Sequence, residues 1–130
     1  MSKEGVLVVG HGSRLDFNKE TILMQAENLK GKGYDLVEVG FNETSEPTIE
    51  EALSNLVAKG ADTIYAVPLF IASGVHITRD IPGKLGIEYP VNEGETVVDD
   101  KRVFVKYCDP IGRDPMIADI LASQIESKRA

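Results

Sequence analysis

Little in this chain can cross-link, enter a bilayer or grip a polyanion. It holds one cysteine in 130 residues, which excludes an intrachain disulfide framework and fits a reducing cytosol. Cys108 ends a predicted strand and is expected to be a small buried apolar side chain. No apolar run approaches the roughly 20 residues that cross a bilayer, so no membrane partner is expected. Met1-Ser2-Lys3-Glu4 has neither the basic nor the apolar segment of a secretory leader, and a cytoplasmic location is expected. Positive charge is scarce: 14 basic residues stand against 21 acidic ones, a formal net charge of -7. With no lysine or arginine cluster, general nucleic-acid binding is excluded. An acidic chain attracts cations and repels polyanions unless a local site supplies donors. There is no CxxC and no HExxH, so no closed structural metal site of the usual spacing is present.

Histidine is also scarce, and here the scarcity is informative. The only two histidines lie in Val8-Val9-Gly10-His11-Gly12-Ser13-Arg14 and Leu69-Phe70-Ile71-Ala72-Ser73-Gly74-Val75-His76. Each follows a short apolar run and falls in a glycine- and serine-bearing turn. Open α/β sheets build their sites at such strand ends. Two imidazoles placed there point to metal or proton chemistry, against the alternative of two unrelated loop residues.

The rest of the chain reads as one domain over residues 1–130. Val6 to Val9 form a continuous apolar strand. Asp16 or Asn18 can cap a helix to about Lys30, with Ile22, Ala26 and Leu29 on one face. Leu36 to Phe41 is a second strand. Thr48 and Glu51 are spaced as a capping box for a second helix bearing Ile49, Leu53, Leu56 and Val57. Thr63 to about Ile71 is a third strand, with an irregularity expected at Pro68. A short helix is expected over 77–86. Residues 88–101 are acidic and unpatterned and read as a mobile loop or lid. Arg102 to Tyr107 is a fourth strand, and Asp114 and Pro115 open a last helix carrying Ile117, Ile120, Leu121 and Ile125. This order implies an α/β fold: a small parallel four-stranded sheet flanked by helices, a flavodoxin-like half-domain. A domain that small fits pairing with a second copy.

The two turns carry matching equipment. Gly10 and Gly12 let the backbone turn tightly at His11. Ser13 and Arg14 follow at a helix entry, where free N–H groups favour anionic ligand groups, and Arg14 can hold a carboxylate or phosphate in two-pronged fashion. Ser73 and Gly74 precede His76, with Thr78 and Arg79 behind it. Neutral imidazole suits cobalt, nickel, zinc and iron. Two histidines leave an open shell, fit for a metal that is handed on. A carboxylate such as Glu43, or a second copy's histidines, can add to it.

These motifs, together with Ser45-Glu46-Pro47-Thr48-Ile49, the run from Val67 to Phe70, Ile77-Thr78-Arg79-Asp80-Ile81-Pro82 and Asp109-Pro110-Ile111-Gly112, resemble the small archaeal sirohydrochlorin chelatases. That family comprises short CbiX-type cobaltochelatases and the nickel chelatases of the coenzyme F430 pathway. The resemblance implies a class II, ATP-independent chelatase acting for cobalamin or coenzyme F430 biosynthesis. It implies Co2+ or Ni2+ as the substrate metal, with no prosthetic group. It also implies a homodimer whose site is shared between subunits. His11 and His76 would handle the metal and accept protons. Gly12, Ser13, Arg14, Phe41 and Glu43 would meet the tetrapyrrole. So would Phe70, Ser73, Gly74, Val75, Thr78 and Arg79. Some members carry a histidine-rich stretch before the last strand; this chain has acidic and polar residues there.

Two other readings stand beside it. His11 in a glycine-flanked turn also fits a phosphohistidine carrier, with His76 incidental. A non-catalytic metal- or tetrapyrrole-binding module fits as well.

Overall fold

The computed structural model describes residues 3–129. Its centre is the apolar N-terminal run, which forms β1 (Glu4–Gly10), buried from Gly5 onward. A strand is apolar on both faces when layers cover both. Leu7 and Val9 join one core cluster with Ile49, Leu53, Leu56 and Val57, the inward face of α2 (Ile49–Ala58). Val6 and Val8 join a second cluster with Ile22 and Ala26 of α1 (Asp16–Gly31). The other strands are β2 (Val37–Phe41), β3 (Thr63–Pro68), β4 (Glu93–Val98) and β5 (Lys101–Tyr107), in the sheet order β2-β1-β3-β5-β4. β1 pairs in parallel with β2 and β3, and β3 with β5. The chain leaves β1 toward β2 on one side and later returns to pair β3 on the other. The gap above β1 and β3 is therefore a topological switch point, where loops diverge and leave a crevice.

Local signals set several boundaries. Thr48 Oγ1 accepts from Glu51 N–H at 3.1 Å, and Glu51 Oε1 accepts from Thr48 N–H at 3.0 Å, completing the capping box of α2. Replacing Thr48 with Ala is expected to cost about 1 kcal/mol, read as a shifted urea midpoint at unchanged slope. β3 ends at Pro68, which has no N–H for a ladder. The expected short helix is a π-helical turn, His76–Asp80, running into α3 (Ile81–Leu85). A 3-10 turn (Ile111–Arg113) leads to α4 (Met116–Glu126).

Four expectations are corrected. The sheet has five strands and is mixed, because β4 lies antiparallel on β5 at one edge. Residues 88–101 are therefore not a mobile loop: most of them form β4 and its turn. Glu93, Glu95 and Val97 face solvent while Gly94, Thr96 and Val98 are half-buried. An edge strand this exposed needs little apolar content, so its pattern is faint, and its acidic residues discourage further strand addition. Asp99 and Asp100 close the hairpin at φ 51° and 66°, the left-handed region that a two-residue turn requires. At α1, neither Asp16 nor Asn18 caps the helix: Leu15 holds the cap position. Asn18 Oδ1 instead accepts from Gly12 N–H at 3.3 Å. Cys108 is only half-buried. Burial still pushes its thiol pKa up, with Asp109 adding to the effect. No helix among the described residues is long and apolar enough to cross a membrane.

Candidate metal centre

The sheet's register brings the site together. Gly10 pairs with Phe41, and the ladder continues past both strand ends. Asn42 N–H donates to Gly10 O at 2.9 Å, and Glu43 N–H donates to His11 O at 3.1 Å. Glu43 is thus held beside His11. On the opposite side Leu69 N–H donates to Val9 O at 2.9 Å, carrying the β3 loop alongside. His76 opens the π-helical turn at the end of that loop. Tyr107 Oη donates to Ile77 O at 3.0 Å, which ties the turn to β5; burial pushes the Tyr107 hydroxyl pKa up. π-helical turns occur often at functional sites.

The result is a convergence of three donors. His11 Nε2 and His76 Nε2 lie 3.2 Å apart. Glu43 Oε1 lies 3.4 Å from His11 Nε2. One ligand atom from each of the three residues falls within 4.8 Å of the others. Two ligand atoms bound at about 2.0–2.1 Å and subtending a tetrahedral angle sit about 3.3–3.4 Å apart. The two spacings from His11 match a shared cation, and further positions stay open. His11 Nδ1 lies 2.9 Å from Gly12 O. A carbonyl only accepts, so Nδ1 carries the proton and Nε2 offers its lone pair to the centre. The two rings meet edge to face with centroids 4.7 Å apart, and Phe70 leans on His11 at 5.9 Å.

The remaining sequence-predicted residues divide by what they touch. Gly12 has φ +94°, and a Cβ there would stand 1.6 Å from Glu43 O. Only glycine lets the β1 and β2 loops approach this closely. The Ser13 backbone is clamped by Ser45: Ser13 N–H donates to Ser45 Oγ at 3.2 Å, and Ser45 Oγ donates to Ser13 O at 3.0 Å. Thr78 Oγ1 donates to Gly74 O at 3.1 Å, so it braces the loop. Arg14 is exposed on the loop after β1 and Arg79 on the π-helical turn, and Ser73, Gly74 and Val75 before that turn are exposed too. Phe41 is a correction. Its side chain is 1% exposed and packs among Val8, Ile22 and Val39, because the last residue of β2 points into the core under α1. It supports the site from below, with its ring closed off from the surface.

A cleft of about 770 Å³ opens along the Ile71–Ser73 segment, with Asp109, Pro110, Gly112 and Arg113 on its other wall. That size suits a large organic ligand. Ile71, 67% exposed, offers it apolar surface. Asn42, Ser45, Asp80, Lys84 and Arg113 were missed in the sequence. Asp80 alone left a signal there: it lies four residues after His76 on a helix, hence on the same face.

The CbiX family model matches residues 5–128. The sirohydrochlorin cobaltochelatase of Methanosarcina acetivorans is 43% identical over 125 residues, 95% of each chain. The crystal structure of the sirohydrochlorin chelatase SirB from Bacillus subtilis subspecies spizizenii, in complex with cobalt, superposes with a TM-score of 0.77 at 28% identity. It is covered over 97% of this chain and 51% of that one, so this chain spans about half of SirB's length. A CbiX protein from Marinobacter aquaeolei VT8 shares the fold, with a TM-score of 0.73 at 19% identity over 98% of this chain and 95% of its own.

Proposed function

The chain belongs to the CbiX family, and from that premise we propose that it inserts a divalent metal ion into sirohydrochlorin without ATP. The observation that carries this reading is the convergence of His11, Glu43 and His76 on one metal-sized position at the switch point. Metallation of a tetrapyrrole expels two pyrrole N–H protons as the cation enters. An imidazole can hold the cation first and accept a proton afterwards, since its lone pair serves either task near neutral pH. The half-exposed setting suits this. The side chains of His11 and Glu43 are 45% and 51% exposed, so the cation is reachable from above and its shell is incomplete. The substrate's carboxylates face the exposed Arg14, Arg79 and Arg113, local donors on an otherwise acidic molecule.

Relatives named as cobaltochelatases favour Co2+ as the substrate metal. The same donors bind Ni2+, by the usual affinity order more tightly, so the physiological metal follows supply as well as affinity. A phosphohistidine carrier fits the geometry less well. Glu43 Oε1 at 3.4 Å from His11 Nε2 would repel a phosphoryl group, and His76 would have no task.

We also propose a homodimer with a shared site, acting in the cytoplasm. α4 buries none of its residues. Met116, Ile120, Leu121 and Ile125 are each more than half exposed, and a groove lined by Val8, Leu29, Val67, Leu69 and Ile120 runs beside them. Apolar surface of this extent normally has a partner. Ile120→Asp combined with Leu121→Asp is expected to convert a sedimenting dimer to a monomer. A wild-type monomer at micromolar concentration would remove the shared site.

The decisive assay is anaerobic absorbance of sirohydrochlorin with Co2+ or Ni2+, with and without protein, corrected for spontaneous insertion. Protein-dependent acceleration is expected. Binding of metal or pigment without acceleration would instead make the protein a carrier module.

A further inference from the structure

His76 Nδ1 has two neighbours of opposite character. Asp80 Oδ2 lies 2.8 Å away and, when ionised, can only accept. Asn42 Nδ2 lies 2.9 Å away and can only donate. Neither is free to exchange roles. Lys84 Nζ donates to Asn42 Oδ1 at 2.9 Å and also to the Asn42 carbonyl. An ammonium requires an acceptor, so Oδ1 faces Lys84 and the NH2 group faces His76. Asn42 is 5% exposed, which holds the arrangement. The other Asp80 oxygen, Oδ1, lies 3.9 Å from Arg79 Nε, leaving Oδ2 to the imidazole.

Each neutral form of His76 therefore has a partner in place. With the proton on Nδ1, the ring donates to Asp80 and Nε2 presents a lone pair. With the proton on Nε2, Nδ1 accepts from Asn42. The ring need not rotate between them. In the metal-free arrangement His11 Nε2 is an acceptor, because its Nδ1 proton is on Gly12 O. His76 Nε2 can then donate across the 3.2 Å gap, with Nδ1 accepting from Asn42, while the Asp80 carboxylate 2.8 Å away opposes that form. A cation at His76 Nε2 demands the other form. The Nε2 proton leaves to water, Nδ1 takes one from water, and the ring stays neutral. Half-exposure of His76 and Asp80, 32% and 35%, lets solvent carry both.

We infer that Asp80 and the Lys84-anchored Asn42 are positioning residues that hold His76 in one orientation and select its tautomer, Asn42 without metal and Asp80 with it. This rests on the proposal that His76 Nε2 meets the substrate metal. Outer partners of a ligating histidine commonly govern affinity by about 10- to 100-fold. The test uses the full chain without tetrapyrrole, so it does not depend on insertion activity. Calorimetric titration with Co2+ alone is expected to show Asp80→Ala weakened by about 10- to 100-fold, with its backbone amide spectrum retained. Imidazole 15N shifts of the metal-free protein are expected to show the Nε2–H form of His76 in wild type. In Lys84→Met, where the Asn42 amide can flip, they are expected to move toward the Nδ1–H form. Wild-type Co2+ affinity in Asp80→Ala would overturn the inference. So would an unchanged tautomer in Lys84→Met, a variant that removes none of the three metal donors and tests the idea even if Asp80→Ala fails to fold. A protein that binds Co2+ with these signatures but does not accelerate insertion would sink the chelatase reading and leave this one standing.

Discussion

His11→Ala and His76→Ala are each expected to lose at least about 100-fold in protein-dependent metal insertion, the low end of what a positioned proton acceptor contributes. The geometry makes the losses severe. Among the described residues three donors form the convergent set, and deleting either imidazole leaves two, too few to hold a cation in a defined place. Stability should hardly move. Both rings are partly exposed, 45% for His11 and 32% for His76, and neither fills the core. The check is paired: insertion rates by absorbance, and thermal unfolding by circular dichroism. Near-wild-type rates in both variants would remove the assignment of the site.

Gly12→Ala is expected to damage fold and site together. The residue sits at φ +94°, where a side chain costs about 1–2 kcal/mol by backbone sterics. Its Cβ would also lie 1.6 Å from the Glu43 carbonyl oxygen, backbone that cannot turn aside. The loops must part. Parting them breaks the Glu43-to-His11 backbone bond of 3.1 Å and pulls Glu43 from its place beside His11. Urea unfolding should show a loss of at least about 2 kcal/mol, and Co2+ titration a weakened site. Gly74→Ala is the control. An added Cβ there meets nothing within 4 Å, so both readings should stay near wild type. Equal tolerance of the two substitutions would mean that the close approach at Gly12 is not needed.

Much of this was legible beforehand because the signals are local. The apolar run Val6–Val9 could only be a strand buried on both faces. Thr48 and Glu51 announce their helix by spacing, and Pro68 announces the end of β3 by its missing N–H. The strand that went unread, β4, shows why the rest was not legible. It is half-exposed along its length, so its stability comes from pairing with β5 and not from a pattern of its own. Phe41 failed in the opposite way. It stands two residues before Glu43 in a loop-proximal motif, yet strand alternation turns its ring into the core.

Residue chemistry by itself determined the two histidines in glycine-bearing turns, their arginine neighbours, and the α/β class. These follow from side-chain type and short-range spacing, which the chain carries in any conformation. Only the tertiary structure decided that His11 and His76, 65 residues apart in sequence, stand 3.2 Å apart. It also decided that Glu43 joins them, and that Asn42, Asp80 and Lys84 stand behind His76. Those juxtapositions arise from the register between β1, β2 and β3, and register is a property of the assembled sheet, because each strand's neighbours are supplied by distant parts of the chain.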